Sequence, residues 1–188
     1  MGMKVVQGTT RRGFLKNLGS ALGGAAIGGA ALLLKPKSVE ANGSAWWETV
    51  SQSQRDMYIL NRAQQLNGQS GGECKVWVQD VVRYVSVSHV QLPLNNPAPY
   101  DWYWQYDPYG HAVGMCLAIE YVTLGQIVQM KFKTNGTPHT AIVGAKDGNG
   151  FGFWASNDPI GSYTVRYRYW KFADFKAAVY AYTVYSIH

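Results

Sequence analysis

The chain has 188 residues and a formal net charge of +6, with 47% hydrophobic and 15% charged residues. Its length suits a single domain. The positive charge is unevenly distributed, because residues 1–41 contain six basic residues and one acidic residue. The rest of the chain has 11 basic and 10 acidic residues, a net charge of +1. A nucleic-acid-binding function that rests on overall basicity is therefore excluded.

The first 41 residues combine the features of an export signal. Arg11 and Arg12 are followed by Phe-Leu-Lys, and an uncharged run rich in Ala and Gly extends over residues 17–34. Residues 38–41 are small or slim around a cleavage point. These features closely resemble those of twin-arginine signal peptides.

This resemblance implies that the twin-arginine translocase exports the protein already folded, to the periplasm or the medium. We predict cleavage after Ala41, which leaves residues 42–188 as the working domain. The alternative is a retained membrane anchor. A stable span requires about 20 strongly apolar residues. Because the run is short and weakened by glycine, we expect no stable membrane span after cleavage.

Residues 42–188 are predicted to form helices first and strands later. Between residues 48 and 66, side chains such as Met57 and Leu60 recur on one helical face. A second helix is predicted to begin near Glu73 or Cys74. Period-two alternation starts near Ile127, and the predicted strands are 127–133, 139–146, 150–156, 163–170 and 179–187, with a short helix at 171–178. This order predicts an α+β domain with an antiparallel sheet.

The surroundings of Cys74 in the sequence suit a nucleophile. Gly71 and Gly72 lead into a predicted helix that has Cys74 in its first turn. Unpaired N–H groups and the helix dipole favour a thiolate at that place, and glycines allow a substrate backbone to approach closely. The alternative is a buried helix cysteine that acts as a small hydrophobic residue.

The second cysteine, Cys116, lies in the apolar stretch 114–119 and is predicted to belong to the core. An exported protein is able to form disulfides. Because folding precedes export by the twin-arginine route, and the cytoplasm keeps thiols reduced, we do not expect a Cys74–Cys116 disulfide.

His139 stands at the start of an apolar predicted strand. An imidazole there can reach a thiol that is distant in sequence, and would act as general base and then as general acid. A structural histidine is the alternative. The ring needs an orienting acceptor, which Asn157 or Asp158 supplies from the end of the next strand. We favour Asn157, because Asp158 precedes Pro159 and suits a turn.

Together these motifs resemble the papain-like NlpC/P60 and CHAP cysteine hydrolases over about residues 48–187. The motifs are Gly-Glu-Cys at a helix start, Gly-Gln-Ile-Val-Gln at 125–129, Pro-His-Thr-Ala-Ile-Val at 138–143 and Ser-Asn at 156–157. The resemblance implies a papain-like fold, in which the cysteine helix packs on an antiparallel sheet that carries the histidine. It also implies an exported amidase or endopeptidase that cleaves amide bonds, such as those of peptidoglycan stem peptides. Cys74 would be the nucleophile, His139 the base and Asn157 the orienting residue.

The same resemblance implies an oxyanion hole. In papain-like relatives a glutamine shortly before the cysteine helps to form it, so Gln69 is a candidate beside the backbone N–H of Cys74. Alternatively, Gln69 is an exposed loop residue. Two positions depart from the family pattern: Gln126, where relatives often have Asp, and Lys75, where the residue is commonly small or aromatic. These two departures weaken the assignment to a subfamily more than they weaken the assignment of Cys74 and His139 as a catalytic pair.

An aromatic-rich segment, residues 92–114, contains Trp102 and Trp104. Aromatic side chains can stack on sugars or line a peptide groove, so we predict that both bind substrate. The alternative is a loop that covers the core. No cofactor or metal site is expected, since Asp-Gly-Asn-Gly at 147–150 lacks the further ligands of a calcium loop and suits a hairpin turn.

Two other functions are compatible with the sequence. An inactive domain of the same fold would bind peptide or glycan without cleaving it. An acyltransferase or transpeptidase would pass the acyl group from the cysteine to an amine instead of water.

Overall fold

The structure is a computed structural model that describes residues 43–94, 104, 107–115 and 117–188. The predicted signal peptide at 1–41, Trp102 and Cys116 lie outside these residues. None of the helices in the described ranges combines the length and the apolarity that a bilayer span requires.

Three helices come first: α1 (Gly43–Thr49), α2 (Gln52–Gln65) and α3 (Cys74–Val85). The single helix predicted over residues 48–66 is divided because Ser51 is extended and caps α2 in a capping box with Gln54. The buried residues of α2 include Ile59, Leu60 and Ala63. Met57, predicted on the buried face, is 43% exposed.

Six strands follow within the described residues and form one sheet. They are β1 (Ala112–Met115), β2 (Ile127–Phe132), β3 (Pro138–Lys146), β4 (Gly150–Ala155), β5 (Arg166–Lys171) and β6 (Val179–Ile187), with helix α4 (Phe172–Ala178) between β5 and β6. The sheet order is β1-β6-β2-β3-β4-β5, and all neighbouring strands are antiparallel. The predicted α+β class with an antiparallel sheet is therefore confirmed, and β1 is a strand that the sequence did not indicate.

The sheet is covered on both faces, which explains why its middle strands are buried along most of their length. Ile127 and Ile142 pack in a cluster with residues of α2 and α3. Their neighbours Val128 and Val143 point the other way, into a cluster that contains Phe175 of α4. Side chains alternate between the faces of a strand, so one sheet separates two cores. Each such buried side chain contributes about 1.5–3 kcal/mol.

The start of β2 is pressed against α2. Gly125 has a φ of +81°, and a Cβ at this position would lie 2.0 Å from the backbone oxygen of Asp56. Only glycine allows this approach. The next residue, Gln126, is buried, and its side-chain oxygen accepts a hydrogen bond from the backbone N–H of Thr123. Gln126 is thus a structural residue of this turn.

Candidate active site

Cys74 and His139 line one cleft of about 570 Å³, and Asn157 lies in its wall. Cys74 is the first residue of α3, and His139 is the second residue of β3. The fold therefore brings together the three residues that the sequence nominated as a group. Glu73 and Lys75, on either side of the cysteine, also line the cleft.

The turn before α3 is fixed by the segment that leads into β5. The backbone N–H of Gly71 donates to the carbonyl of Tyr163 at 2.8 Å, and Gly68 and Val165 are joined by a second backbone bond at 2.9 Å. A Cβ on Gly71 would lie 2.6 Å from the hydroxyl of Ser156, which itself donates to the carbonyl of Gly72. The backbone before Cys74 is consequently held on several sides.

The thiol of Cys74 is free, and the residue is only 7% exposed. Burial raises its pKa above the ordinary value, and the nearby carboxylate of Glu73 acts in the same direction. Backbone hydrogen bonds from Thr140 and Lys75 lower the pKa, but they do not outweigh burial. The thiolate that the sequence favoured at this position is therefore not the resting form in this cleft, because loss of solvation raises the pKa more than the backbone hydrogen bonds at the helix start lower it.

The imidazole of His139 is held by packing. Its ring centroid lies 6.1 Å from that of Phe132 and 6.3 Å from that of Phe153, in the core on the α4 side of the sheet. Nε2 is buried and has no hydrogen-bond partner in the described part of the chain. Because His139 also lines the cleft, we assign Nδ1 to the side of the ring that faces the cleft.

Burial also sets the charge of this ring. It lowers the pKa of His139 to about 4; the carboxylate of Asp158 opposes this shift and the guanidinium of Arg168 adds to it. His139 is accordingly neutral at pH 7. Among the hydrogen bonds of the described residues, none joins the imidazole to Cys74, so at rest a neutral thiol and a neutral imidazole line the same cleft without a hydrogen bond between them.

Asn157 does not orient this ring as predicted. Its side-chain oxygen accepts a hydrogen bond from the backbone N–H of Gly161, and its amide donates to Glu73 Oε2 at 2.9 Å. Its φ of +59° places it in the left-handed region that asparagine tolerates. Asn157 thus ties the loop after β4 to the start of α3. The alternative, Asp158, binds Arg168 and acts on His139 only through its charge.

The structure also contradicts the roles predicted for Gln69 in the oxyanion hole and for Trp104 in substrate binding. Gln69 is exposed; its amide donates to the carbonyl of Gln65, and it does not line the cleft. Trp104 is completely buried, packs edge-on against Tyr185 and donates from Nε1 to the carbonyl of Pro93. Trp104 is a core residue and is inaccessible to substrate.

Sequence reasoning missed the polar face of α3. Lys75 is buried, and its ammonium donates to the carbonyl of Leu94 at 2.7 Å. One turn later, the amide of Gln79 donates to the carbonyls of Leu92 and Pro93. The i, i+4 spacing of Lys75 and Gln79 places both side chains on one face of the helix, and this spacing is the sequence feature that could have indicated the polar face. These two side chains hold one wall of the cleft in place.

The comparisons with known proteins are sparse. No protein-family model matches the chain, and no curated protein matches it. Among solved structures, the chain is similar to the crystal structure of Ly7917, at 18% identity over 69% of this chain, with a TM-score of 0.47. It is also similar to the structure of Ly7917 with the hydrolyzing product of MDP, at 18% identity over 70% of this chain, with a TM-score of 0.49. The matches span 61% and 63% of those two chains.

Proposed function

We propose that this protein is an exported cysteine hydrolase of the papain-like NlpC/P60 and CHAP type, which cleaves amide bonds in the stem peptides of peptidoglycan. The observation that carries the proposal is the position of Cys74, a free thiol at the start of α3 in a cleft that a neutral histidine also lines. A helix start supplies backbone N–H groups, and a neutral imidazole is a base.

The protonation states favour attack by general-base catalysis. As the sulfur of Cys74 bonds to the substrate carbonyl carbon, its proton passes to Nδ1 of His139, and the carbonyl oxygen becomes an oxyanion. Backbone N–H groups of the first turn of α3, including that of Cys74, are the donors for this oxyanion. Hydrogen bonds of this kind are often long before substrate binds and shorten in the complex.

The remaining steps return the enzyme to its resting state. The imidazolium gives its proton to the leaving nitrogen as the C–N bond breaks, and an acyl-cysteine thioester remains. His139 then removes a proton from water as the water oxygen attacks the thioester carbon. The C–S bond breaks, this proton passes to the sulfur, and the released carboxylic acid loses its remaining proton to the solvent. The negative charge of Asp158 supports the transient imidazolium, since it favours the protonated ring.

The decisive experiment is incubation of the purified protein with purified peptidoglycan fragments, followed by mass analysis of the products. We expect one type of amide bond to be cleaved, with the addition of one water. Cys74→Ala should abolish the products. Cys116→Ala is the matched control and should retain most of the activity, with a stability loss of about 1 kcal/mol. A product that carries an added amine instead of water would show acyl transfer.

A binding module is the second candidate, and one observation favours it. Burial raises the thiol pKa, and no described hydrogen bond joins Cys74 to His139, as would suit a site that no longer reacts. If the fragments bind but stay intact, and Cys74→Ala binds them equally well, the binding module replaces the hydrolase.

A further inference from the structure

A second cavity lies on the other side of the turn that precedes α3. It has a volume of about 610 Å³ and shares no lining residue with the cleft at Cys74. Its walls come from the end of α2, through Arg62 and Leu66, and from the length of α3, through Trp77, Val81 and Tyr84. We call this cavity the Arg62 groove.

Arg62 is the unpaired charge of this groove. Its guanidinium carbon lies 4.0 Å from the ring centroid of Tyr84, and Nη1 reaches only the neutral amide oxygen of Gln65, at 3.5 Å. Its Nε is buried without a hydrogen-bond partner, and no ion pair of the described residues involves this side chain. Arg62 as a whole is half-buried, but a buried N–H group such as this Nε is unfavourable without an acceptor, which a ligand could supply.

The groove contains a second unsatisfied donor. Trp77 is 3% exposed, and its indole Nε1 has no hydrogen-bond partner in the part of the chain that the structure describes. The other charged groups of the groove neutralise each other, since Arg83 pairs with Asp80 at 2.8 Å. Two residues that line the groove therefore each have a buried N–H group without an acceptor, and one of them, Arg62, carries a positive charge that no ion pair of the described residues compensates.

We propose that the Arg62 groove binds a carboxylate group. A carboxylate only accepts hydrogen bonds, carries a single charge that Arg62 balances, and fits the guanidinium in a planar geometry. A phosphate carries more negative charge than one arginine neutralises. The apolar side chains of Leu66 and Val81 suit a small apolar group attached to the carboxylate. A free carboxylic acid and the C-terminus of a peptide share this chemistry.

The test is a titration of the full chain, with the indole N–H resonance of Trp77 as the readout. The resonance is assigned by its loss in Trp77→Phe. The probes are N-acetylalanine, its neutral amide, inorganic phosphate, and a tripeptide with either a free or an amidated C-terminus. We expect a saturable shift with N-acetylalanine and with the free tripeptide, and none with either amide. Tighter binding of the tripeptide than of N-acetylalanine assigns the site to peptide ends, whereas equal binding assigns it to carboxylic acids in general.

Arg166 provides the matched control, because it is an exposed arginine that lines neither cavity. Arg62→Gln should weaken binding by about tenfold or more, the loss of a charged hydrogen bond. Arg166→Gln should leave binding nearly unchanged. Both variants are first checked for a native circular dichroism spectrum. Equal shifts with the neutral amide, tighter binding of phosphate, or equal weakening by both substitutions would overturn the proposal. Cleavage of peptidoglycan does not enter this readout, so the outcome is separate from that of the proposed hydrolase.

Discussion

The two halves of the candidate active site are held in different ways. On the helix side, backbone hydrogen bonds and a close approach of Gly71 to Ser156 fix the start of α3, which carries Cys74. On the sheet side, His139 is fixed mainly by the aromatic rings of Phe132 and Phe153, and Nε2 has no polar partner among the described residues. Hydrogen bonds position the nucleophile, whereas apolar packing positions the base and keeps it neutral.

The largest effect is expected from removal of the base. His139→Ala should lower kcat/KM for amide cleavage by about 10²- to 10⁴-fold, the usual contribution of a general base. The measurement is a pH profile of kcat/KM for both proteins. Because the pKa of His139 is about 4, the wild-type activity should persist as the pH falls to 5 and decline only near pH 4.

The alkylation rate of Cys74 supplies the control for this prediction. Since the pKa of the resting thiol is raised, iodoacetamide should react with Cys74 at pH 7 more slowly than with a free thiol. His139→Ala should change that rate little. Fast alkylation at pH 6 that depends on His139 would instead demonstrate a preformed thiolate–imidazolium pair.

The pH dependence of stability tests the apolar surroundings of His139 directly. In the unfolded chain this histidine titrates near 6.5, and in the folded protein near 4. Between these values the unfolded state binds the additional proton, so the free energy of unfolding falls as the pH is lowered. At about 1.4 kcal/mol for each pKa unit, the total loss is on the order of 3 kcal/mol.

This loss is measured by urea denaturation at pH 7, 5.5 and 4. His139→Gln lacks the titrating group and serves as the reference. A wild-type protein that loses no more stability than His139→Gln over this range would show that the ring is solvated in the folded state.

On the helix side, Gly71→Ala probes the contact that fixes the turn. The new Cβ would lie 2.6 Å from the hydroxyl of Ser156 and 2.8 Å from Cδ1 of Trp77, so the turn must shift. We expect a stability loss of about 1–3 kcal/mol together with reduced kcat. Gly148→Ala is the control, because no atom lies within 4 Å of its Cβ. Similar destabilisation by both substitutions in thermal unfolding would contradict the steric explanation.

The smallest effect concerns the link between the two halves. Asn157→Ala removes the hydrogen bonds to Glu73 and to the backbone of Gly161, and should destabilise the protein by about 1 kcal/mol. Glu73→Gln retains an acceptor oxygen for Asn157 but removes a charge that raises the pKa of Cys74. Glu73→Gln should therefore accelerate alkylation of Cys74 at pH 8 without loss of stability. Slower alkylation of Glu73→Gln would refute this electrostatic role.

Much of the architecture follows from the sequence alone. The strands predicted from Ile127 onwards match β2, β3, β4 and β6 closely, and the apolar residues on both of their faces fit a sheet that lies between two cores. A glycine turn followed by Cys74 predicted the start of α3. The sequence likewise nominated Cys74, His139 and Asn157, which the fold places on one cleft.

What each of these residues contacts was decided by the tertiary structure. The local pattern of Asn157 and Asp158 does not reveal that Glu73 and Arg168 approach them from distant segments. The burial of Trp104 depends on its packing against Tyr185, far away in the chain. The protonation states of Cys74 and His139 depend on burial, which a sequence records only indirectly. Helix starts and strand periods are local properties of the backbone, whereas desolvation and hydrogen-bond partners are created when segments distant in sequence pack together.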